Sequence, residues 1–356
     1  MYRRFLSVFL CSLTLNLSAE DPLFPSTIAV VDMSLFNHEE TKSDFIQQFA
    51  SALHEIGFCA LVNTGFDDEA LQAGYHAVQT FFKSSQNQKK EILFPYLNGQ
   101  RGFVLSETAQ GNKNKDIKEF LHFGLHGNYW PSWMNLQDPI EKLIFNLNQH
   151  GEKLEQALSV FLGQDEQFLS SKTQQGDSLL RALYYPVNNN PQLFWAAEHT
   201  DIDLFTILPM ATEDGLQVLH KGQWIDVKVP KGAFIINCGD MLENLSNGYF
   251  KSSVHRVVSQ KGKERFSIVY FIHPKTTEDI SPLPEAISIT GGIKKFPDTT
   301  QREMLAHRLV ELGIASHDLI DYDANSGYME KVEQLVKEGA ASPAVQKTYK
   351  IWSEKK

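Results

Sequence analysis

The spacing of apolar and polar positions changes about halfway along the chain. In the first half it is mostly helical. Phe45, Phe49, Ala52, Leu53 and Ile56 fall on one face of a helix predicted over 40–56, which Gly57 ends. A second helix is predicted over about 67–83, with Tyr75, Val78 and Phe82 inward. A long third helix over about 138–162 carries Ile140, Leu143, Ile144, Leu147, Leu154, Leu158 and Phe161. Two strand-like runs, "TIAVVD" (27–32) and "FCALVN" (58–63), sit among these helices. Residues 86–135 keep no period and, with several Gly, Asn and Pro, read as irregular.

After Ser178 the runs become short. Apolar stretches at 179–186, 203–208, 215–219, 223–227, 232–237, 253–258 and 265–272 are separated by Gly, Asn, Pro or charged turns. That spacing predicts an antiparallel sandwich or barrel. Helical patterns return at about 299–312 and 327–338, and the basic tail from Ala341 reads as loosely held. The expected fold class is α+β with a mainly β core. The expected plan is a mainly helical region over 20–177, a β core over 178–280, and a helical flank and tail over 281–356.

Composition narrows the class. At 356 residues and 42% hydrophobic, the chain can bury a sizeable core. Its formal charge of −10, with no basic stripe, gives no support to nucleic-acid binding. The start, "MYRRFLSVFLCSLTLNLSAEDP", has two arginines, an apolar run to about Leu17, then Ser18 and Ala19. This is the layout of a secretory signal over 1–19, with an apolar run too short for a stable membrane span. The expectation is export, periplasmic or secreted, if that segment is cleaved, and a cytoplasmic protein otherwise. Cys59 and Cys238 lie in apolar strand-like runs and are expected as buried free thiols, with no metal-type spacing.

The stretch "AAEHTDIDLFTIL" (196–208) raises the chemical question, because His199, Asp201 and Asp203 share one parity. On a strand they would point the same way, and two acids beside an imidazole would repel unless a cation sits among them. His199 and Asp201 can reach one point, whereas Asp203 lies far enough along to support the site but not to join it. His255, heading the run "HRVV", is the expected third ligand from another strand. Two His and one carboxylate point to non-haem Fe(II) oxygen chemistry, and a zinc hydrolase could use the same set. Ten residues on, Arg265 and Ser267 share a face of "RFSIVYF". A guanidinium fork on an apolar strand implies an acidic ligand, and a 2-oxo acid chelating iron would fit, which a zinc hydrolase does not need.

These words resemble the catalytic core of the 2-oxoglutarate/Fe(II)-dependent dioxygenases, in the isopenicillin N synthase-like branch. The matching segments are "EHTDIDLFTILP", "GLQVLHKGQWIDV", "GAFIINCGDMLENLSNGYFKSSVHRVV" and "ERFSIVYFIHP". Weaker likeness extends over most of 27–315. The resemblance implies a double-stranded β-helix, or jelly roll, flanked by helices. It implies His199, Asp201 and His255 as iron ligands, and Arg265 and Ser267 as the grip on the distal carboxylate of 2-oxoglutarate. Tyr185 matches a tyrosine that helps hold this co-substrate, while Leu183 departs from the Asn frequent at its position. Asn237, Gly239 and Asp240 match a strand-end turn and are read as structural. The implied cofactors are Fe(2+), 2-oxoglutarate and O2, and the implied reaction is hydroxylation, desaturation or cyclisation of a small organic substrate. Two alternatives stay open: a 2-oxoglutarate-independent oxidase, whose Arg–Ser pair would grip the substrate itself, and a catalytically silent metal-binding protein. Arg101, Phe103, Tyr184 and Phe194 are the pocket candidates, set against ordinary packing, and His122, His126, His220 and His273 are read as structural or surface histidines. No partner chain is implied, and a monomer is expected.

Overall fold

The computed structural model describes residues 27–105, 116–190 and 193–354. The signal-like segment 1–19 lies outside them. The strands are β1 (Ala29–Asp32), β2 (Phe58–Val62), β3 (Gly102–Val104), β4 (Glu119–Gly124), β5 (Leu179–Tyr185), β6 (Ala196–His199), β7 (Phe205–Pro209), β8 (Leu216–His220), β9 (Gln223–Asp226), β10 (Phe234–Cys238), β11 (His255–Val257) and β12 (Arg265–Ile272). Among the described residues they form an eight-stranded sheet, ordered β1-β2-β10-β7-β12-β5-β4-β3, and a four-stranded sheet, ordered β6-β11-β8-β9. From β5 onward the chain passes back and forth between the two sheets, which is the jelly roll expected from the resemblance.

The period of two decides what each face of the large sheet does. On β5, Leu180 and Ala182 turn outward into a core with Phe45, Phe49, Leu143 and Leu147. Leu183 and Tyr185 turn inward, joining Phe58, Trp195, Leu208 and Val218 between the sheets. The helices α1 (Glu39–Glu55), α2 (Asp68–Phe82), α3 (Gln86–Lys89), α4 (Gln137–Phe161) and α5 (Phe168–Thr173) precede the β core. The apolar stripes predicted for α1, α2 and α4 lie in or against the outer core except for Ile56, which packs against the inner cluster between the sheets. Gly57 ends α1 at φ +79°, where a Cβ would overlap the Lys251 carbonyl, so only glycine fits without strain.

Several expectations are corrected. Residues 86–135 are not irregular throughout: β3 and β4 pair within them and extend the large sheet beyond β5. Half of that sheet's strands therefore come from the region read as mainly helical. Nor is Ala196–Leu208 a single strand. β6 ends at His199 in the small sheet and β7 starts at Phe205 in the large one, so residues 200–204 form a corner.

The short α6 (Asp240–Leu245) lies within the β core between β10 and β11, and the C-terminal flank contains α7 (Pro284–Ile289), α8 (Gln301–Leu312), α9 (His317–Asn325), α10 (Tyr328–Lys337) and α11 (Pro343–Ser353). The tail read as loosely held is thus a helix through Ser353. Val345 of α11 is buried with Val332 and Leu335 of α10, and that apolar contact holds it. Cys59 and Cys238 are buried free thiols, as expected.

Candidate active site

His199 closes β6 and His255 opens β11, and antiparallel pairing sets the two directly opposite. Directly opposed residues project from the same face, and the ring centroids lie 4.3 Å apart. His199 Nδ1 donates to the Ala197 carbonyl at 2.7 Å, and His255 Nδ1 to the Ser253 carbonyl at 3.2 Å. A carbonyl can only accept, so each Nδ1 carries the proton and each Nε2 presents a lone pair in the neutral ring. Burial holds His199 below the usual imidazole range, helped by His255 and opposed by Asp201, which favours the neutral, ligating form.

Asp201 sits in the corner between the sheets. Its backbone carbonyl accepts the Asp240 amide at 2.8 Å, and that of Asp203 accepts the Met241 amide at 3.1 Å, both at the start of α6. Side-chain oxygen Oδ2 accepts from Asn237 Nδ2 at 2.8 Å and from Thr206 Oγ1 at 2.7 Å. Oδ1 lies 3.8 Å from Nε2 of both histidines. Burial raises this carboxyl, but the two imidazoles, Asn237 and Thr206 outweigh it, so it stays ionised. The three ligand atoms all lie within 4.8 Å of one another, and no other such group of three occurs among the described residues. Two imidazole Nε2 atoms and one carboxylate oxygen, each group fixed by a second partner, form the donor set of a 2-His-1-carboxylate iron site. The residues therefore fit a ferrous ion.

Asp203 supports this arrangement without joining it, as expected. It is fully buried and shares the Thr206 hydroxyl at 2.9 Å. Burial and the charge of Asp201 push its carboxyl well above the ordinary range. A Cβ on residue 239 would overlap Asp203, which accounts for Gly239. Asn237, read as structural, and Thr206, which the sequence did not single out, both hold Asp201.

The large sheet faces the triad across the interior. Arg265 pairs with Tyr185, and Ser267 with Leu183, on neighbouring β12 and β5. These four residues line the same inner cavity as His199, Asp201 and His255, with a free volume of about 60 Å³. Arg265 is buried, donates from Nε to the Glu213 carbonyl at 2.9 Å, and packs its guanidinium 5.1 Å from the Tyr185 ring. Among the described residues no carboxylate pairs with it. A buried cation held by a carbonyl and a ring awaits an anion.

A wider pocket of about 440 Å³ opens beside the triad, walled on one side by Leu305, Leu309 and Leu312 of α8. Arg101, His122 and His273 line it. The other pocket candidates lie elsewhere. Phe103 is buried in the outer core, Tyr184 packs on Phe82 and Phe266, and Phe194 sits under Arg256.

Comparison with known proteins settles the family. Residues 176–274 match the model of the 2OG-Fe(II) oxygenase superfamily, and residues 28–151 match that of the N-terminal region of non-haem dioxygenases in morphine synthesis. Jasmonate-induced oxygenase 2 of Arabidopsis thaliana is 31% identical over 303 residues, covering 80% of this chain and 79% of that protein. The chain belongs to the 2OG-Fe(II) oxygenase superfamily. A solved member of that family from Caulobacter crescentus superposes with a TM-score of 0.73 at 30% identity, covering 81% of this chain and 99% of that one. The JOX2 structure, solved with 2OG, Fe and JA, gives a TM-score of 0.70 at 27% identity, covering 83% and 88%. As a 2OG-Fe(II) oxygenase the protein is an oxidoreductase using Fe(2+), 2-oxoglutarate and O2. It couples oxidative decarboxylation of 2-oxoglutarate to hydroxylation, desaturation or cyclisation of a small organic substrate. Among the described residues no helix is long and apolar enough to cross a membrane.

Proposed function

We propose that His199, Asp201 and His255 hold the iron of this oxygenase, and that Arg265, Ser267 and Tyr185 hold 2-oxoglutarate. The observation that carries the reading is the convergence of Oδ1 and two Nε2 atoms opposite a buried arginine in one cavity. When bound, the metal and co-substrate supply the oxygen activation. The chain's part is positional. Asn237 and Thr206 occupy one oxygen of Asp201 and leave the other for the metal. The backbone carbonyls of Ala197 and Ser253 fix the imidazole tautomers. The Arg265 fork and the Ser267 hydroxyl take the distal carboxylate, and the Tyr185 ring fixes the guanidinium. Leu183, opposite Ser267, contributes an apolar wall to the cavity.

The test is succinate release with Fe(II) and 2-oxoglutarate. Wild-type protein releases succinate even without a prime substrate, whereas His255→Ala binds no iron and releases none while keeping its fold by circular dichroism. Unchanged iron affinity in that variant would remove His255 from the site.

The same reading takes 20–177 as the N-terminal region, 178–280 as the jelly-roll core and 281–356 as the flank, with a monomeric chain. The two family matches, 28–151 and 176–274, support that division. Residues 1–19 are read as a cleaved export signal on their charge and apolar pattern. Mass spectrometry of the mature N-terminus checks this, and an intact Met1 or Tyr2 would refute it. An exported form also needs Fe(II) and 2-oxoglutarate supplied in its compartment.

A further inference from the structure

Asp240 does more than open α6. Its amide donates to the Asp201 carbonyl at 2.8 Å, flanked by the Gly239 amide on Leu204 and the Met241 amide on Asp203. Its carboxylate oxygen Oδ2 faces two ways. It accepts from the Thr200 hydroxyl at 3.2 Å, and it meets Nη2 of Arg308 on α8. Thr200 stands between His199 and Asp201, two of the three triad residues. Asp240 therefore holds the corner 200–204 by backbone and side chain together, and a guanidinium ties it to a helix of the C-terminal flank.

Arg308 is placed for this contact. Spacings of three and four residues bring side chains to one helix face. Arg308 shares that face of α8 with Leu305, Leu309 and Leu312, and all four line the 440 Å³ pocket beside the triad. Its Nε lies 3.6 Å from Glu311 Oε2, so one fork sits between a carboxylate of α6 and one of its own helix. The Arg308, Asp240 and Glu311 side chains are only 20%, 12% and 8% exposed. Ion pairs shielded from water in this way constrain their partners more than freely solvated ones do. Asp240 also adds negative charge beside Asp203, and Arg308 brings a cation to that acidic corner.

We propose that Arg308 is a positioning residue for the oxygenase reaction. Through Asp240 it fixes the corner that aims Asp201 Oδ1 at the metal, and it keeps the leucine wall of α8 in register with that corner. This rests on the reading of His199, Asp201 and His255 as the iron ligands. Removing Arg308 alone has two opposed effects: a looser corner weakens metal binding, while the loss of a nearby positive charge strengthens it. Replacing both partners by neutral residues, Arg308→Met with Asp240→Asn, keeps the net charge and leaves only the loosening.

The experiment is Mn(II) binding to the full chain, followed by electron paramagnetic resonance. The double variant is expected to bind about tenfold more weakly, the lower end for groups that orient metal ligands, with a changed zero-field splitting of the bound ion. Arg308→Lys keeps the charge but not the fork, and falls between wild type and the double variant. Lys331→Met is the control. Lys331 reaches from α10 to Glu303 of α8 at 2.9 Å, so its loss loosens α8 without touching Asp240, and it leaves Mn(II) affinity and spectrum as in wild type. Wild-type affinity and spectrum in the double variant, a lysine variant as weak as the double variant, or an equal loss in Lys331→Met overturns the proposal. Should circular dichroism show that the double variant does not fold, Arg308→Lys decides: a loss of about twofold or more supports the proposal, and wild-type affinity overturns it. Asp201→Ala separates the two readings. If it binds Mn(II) as wild type does, the triad falls and this proposal with it. If it loses the metal and the double variant does not, this proposal alone falls.

Discussion

Asp201 can offer one oxygen to a metal because the other is already held. Thr206 has one hydroxyl proton and two carboxyl neighbours, at 2.7 and 2.9 Å. Burial and the charge of Asp201 push Asp203 well above its ordinary range, and the Thr206 hydroxyl links the two carboxyls in a hydrogen-bond relay. Thr206→Val breaks this relay and leaves two buried carboxyls facing one another. Its expected effect is a 10–100-fold loss of metal affinity, typical for the partners that orient ligands. A titration with Mn(II) against wild type measures it, and an unchanged affinity would show that Asn237 alone suffices.

The elements were legible where burial is one-sided and illegible where it is not. The stripes of α1, α2 and α4 follow the helical period because each helix packs one face on the large sheet. In β4, by contrast, Phe120, Leu121, His122 and Phe123 are all buried, so no alternation marks the strand. β3 is three residues long and carries no period at all. The helix α11 was announced by Ser342 as cap and Pro343 at its first turn, a signal that the basic residues around it obscured. His199 and Asp201 were found by strand parity, yet Asp201 lies in a corner positioned by the amides of α6. The right residues came from a partly wrong geometry, because the local word is specific even where the strand ends.

Helix α4 also carries a titration that its stripe does not predict. Glu155 is 2% exposed, and burial raises its carboxyl to about 7, with the Thr173 hydrogen bond opposing and Glu152 adding. The folded chain therefore keeps a proton that the unfolded chain releases above about 4.5. That contribution is fully present below about 4.5 and is lost as pH rises through about 7, a change of about 3 kcal/mol. Glu155→Gln has no such group. Denaturant unfolding from pH 4.5 to 8 should show wild type falling below the variant by up to that amount, whereas parallel profiles would contradict the raised carboxyl.

For the whole molecule, the jelly roll places the groups and the flanking helices enclose them. The small sheet supplies both histidines, the large sheet supplies Arg265 and Ser267, and α8 walls the outer pocket. Neither sheet holds a complete site, so the assignment depends on the two faces meeting around one ion. The most direct measurement is an anomalous difference map at the iron edge, from crystals grown without oxygen and soaked with Fe(II) and 2-oxoglutarate. The account predicts one iron peak per chain, bonded to His199 Nε2, Asp201 Oδ1 and His255 Nε2, with the co-substrate running from it to Arg265. An iron peak away from these three atoms, or a co-substrate carboxylate that leaves Arg265 untouched, would contradict it.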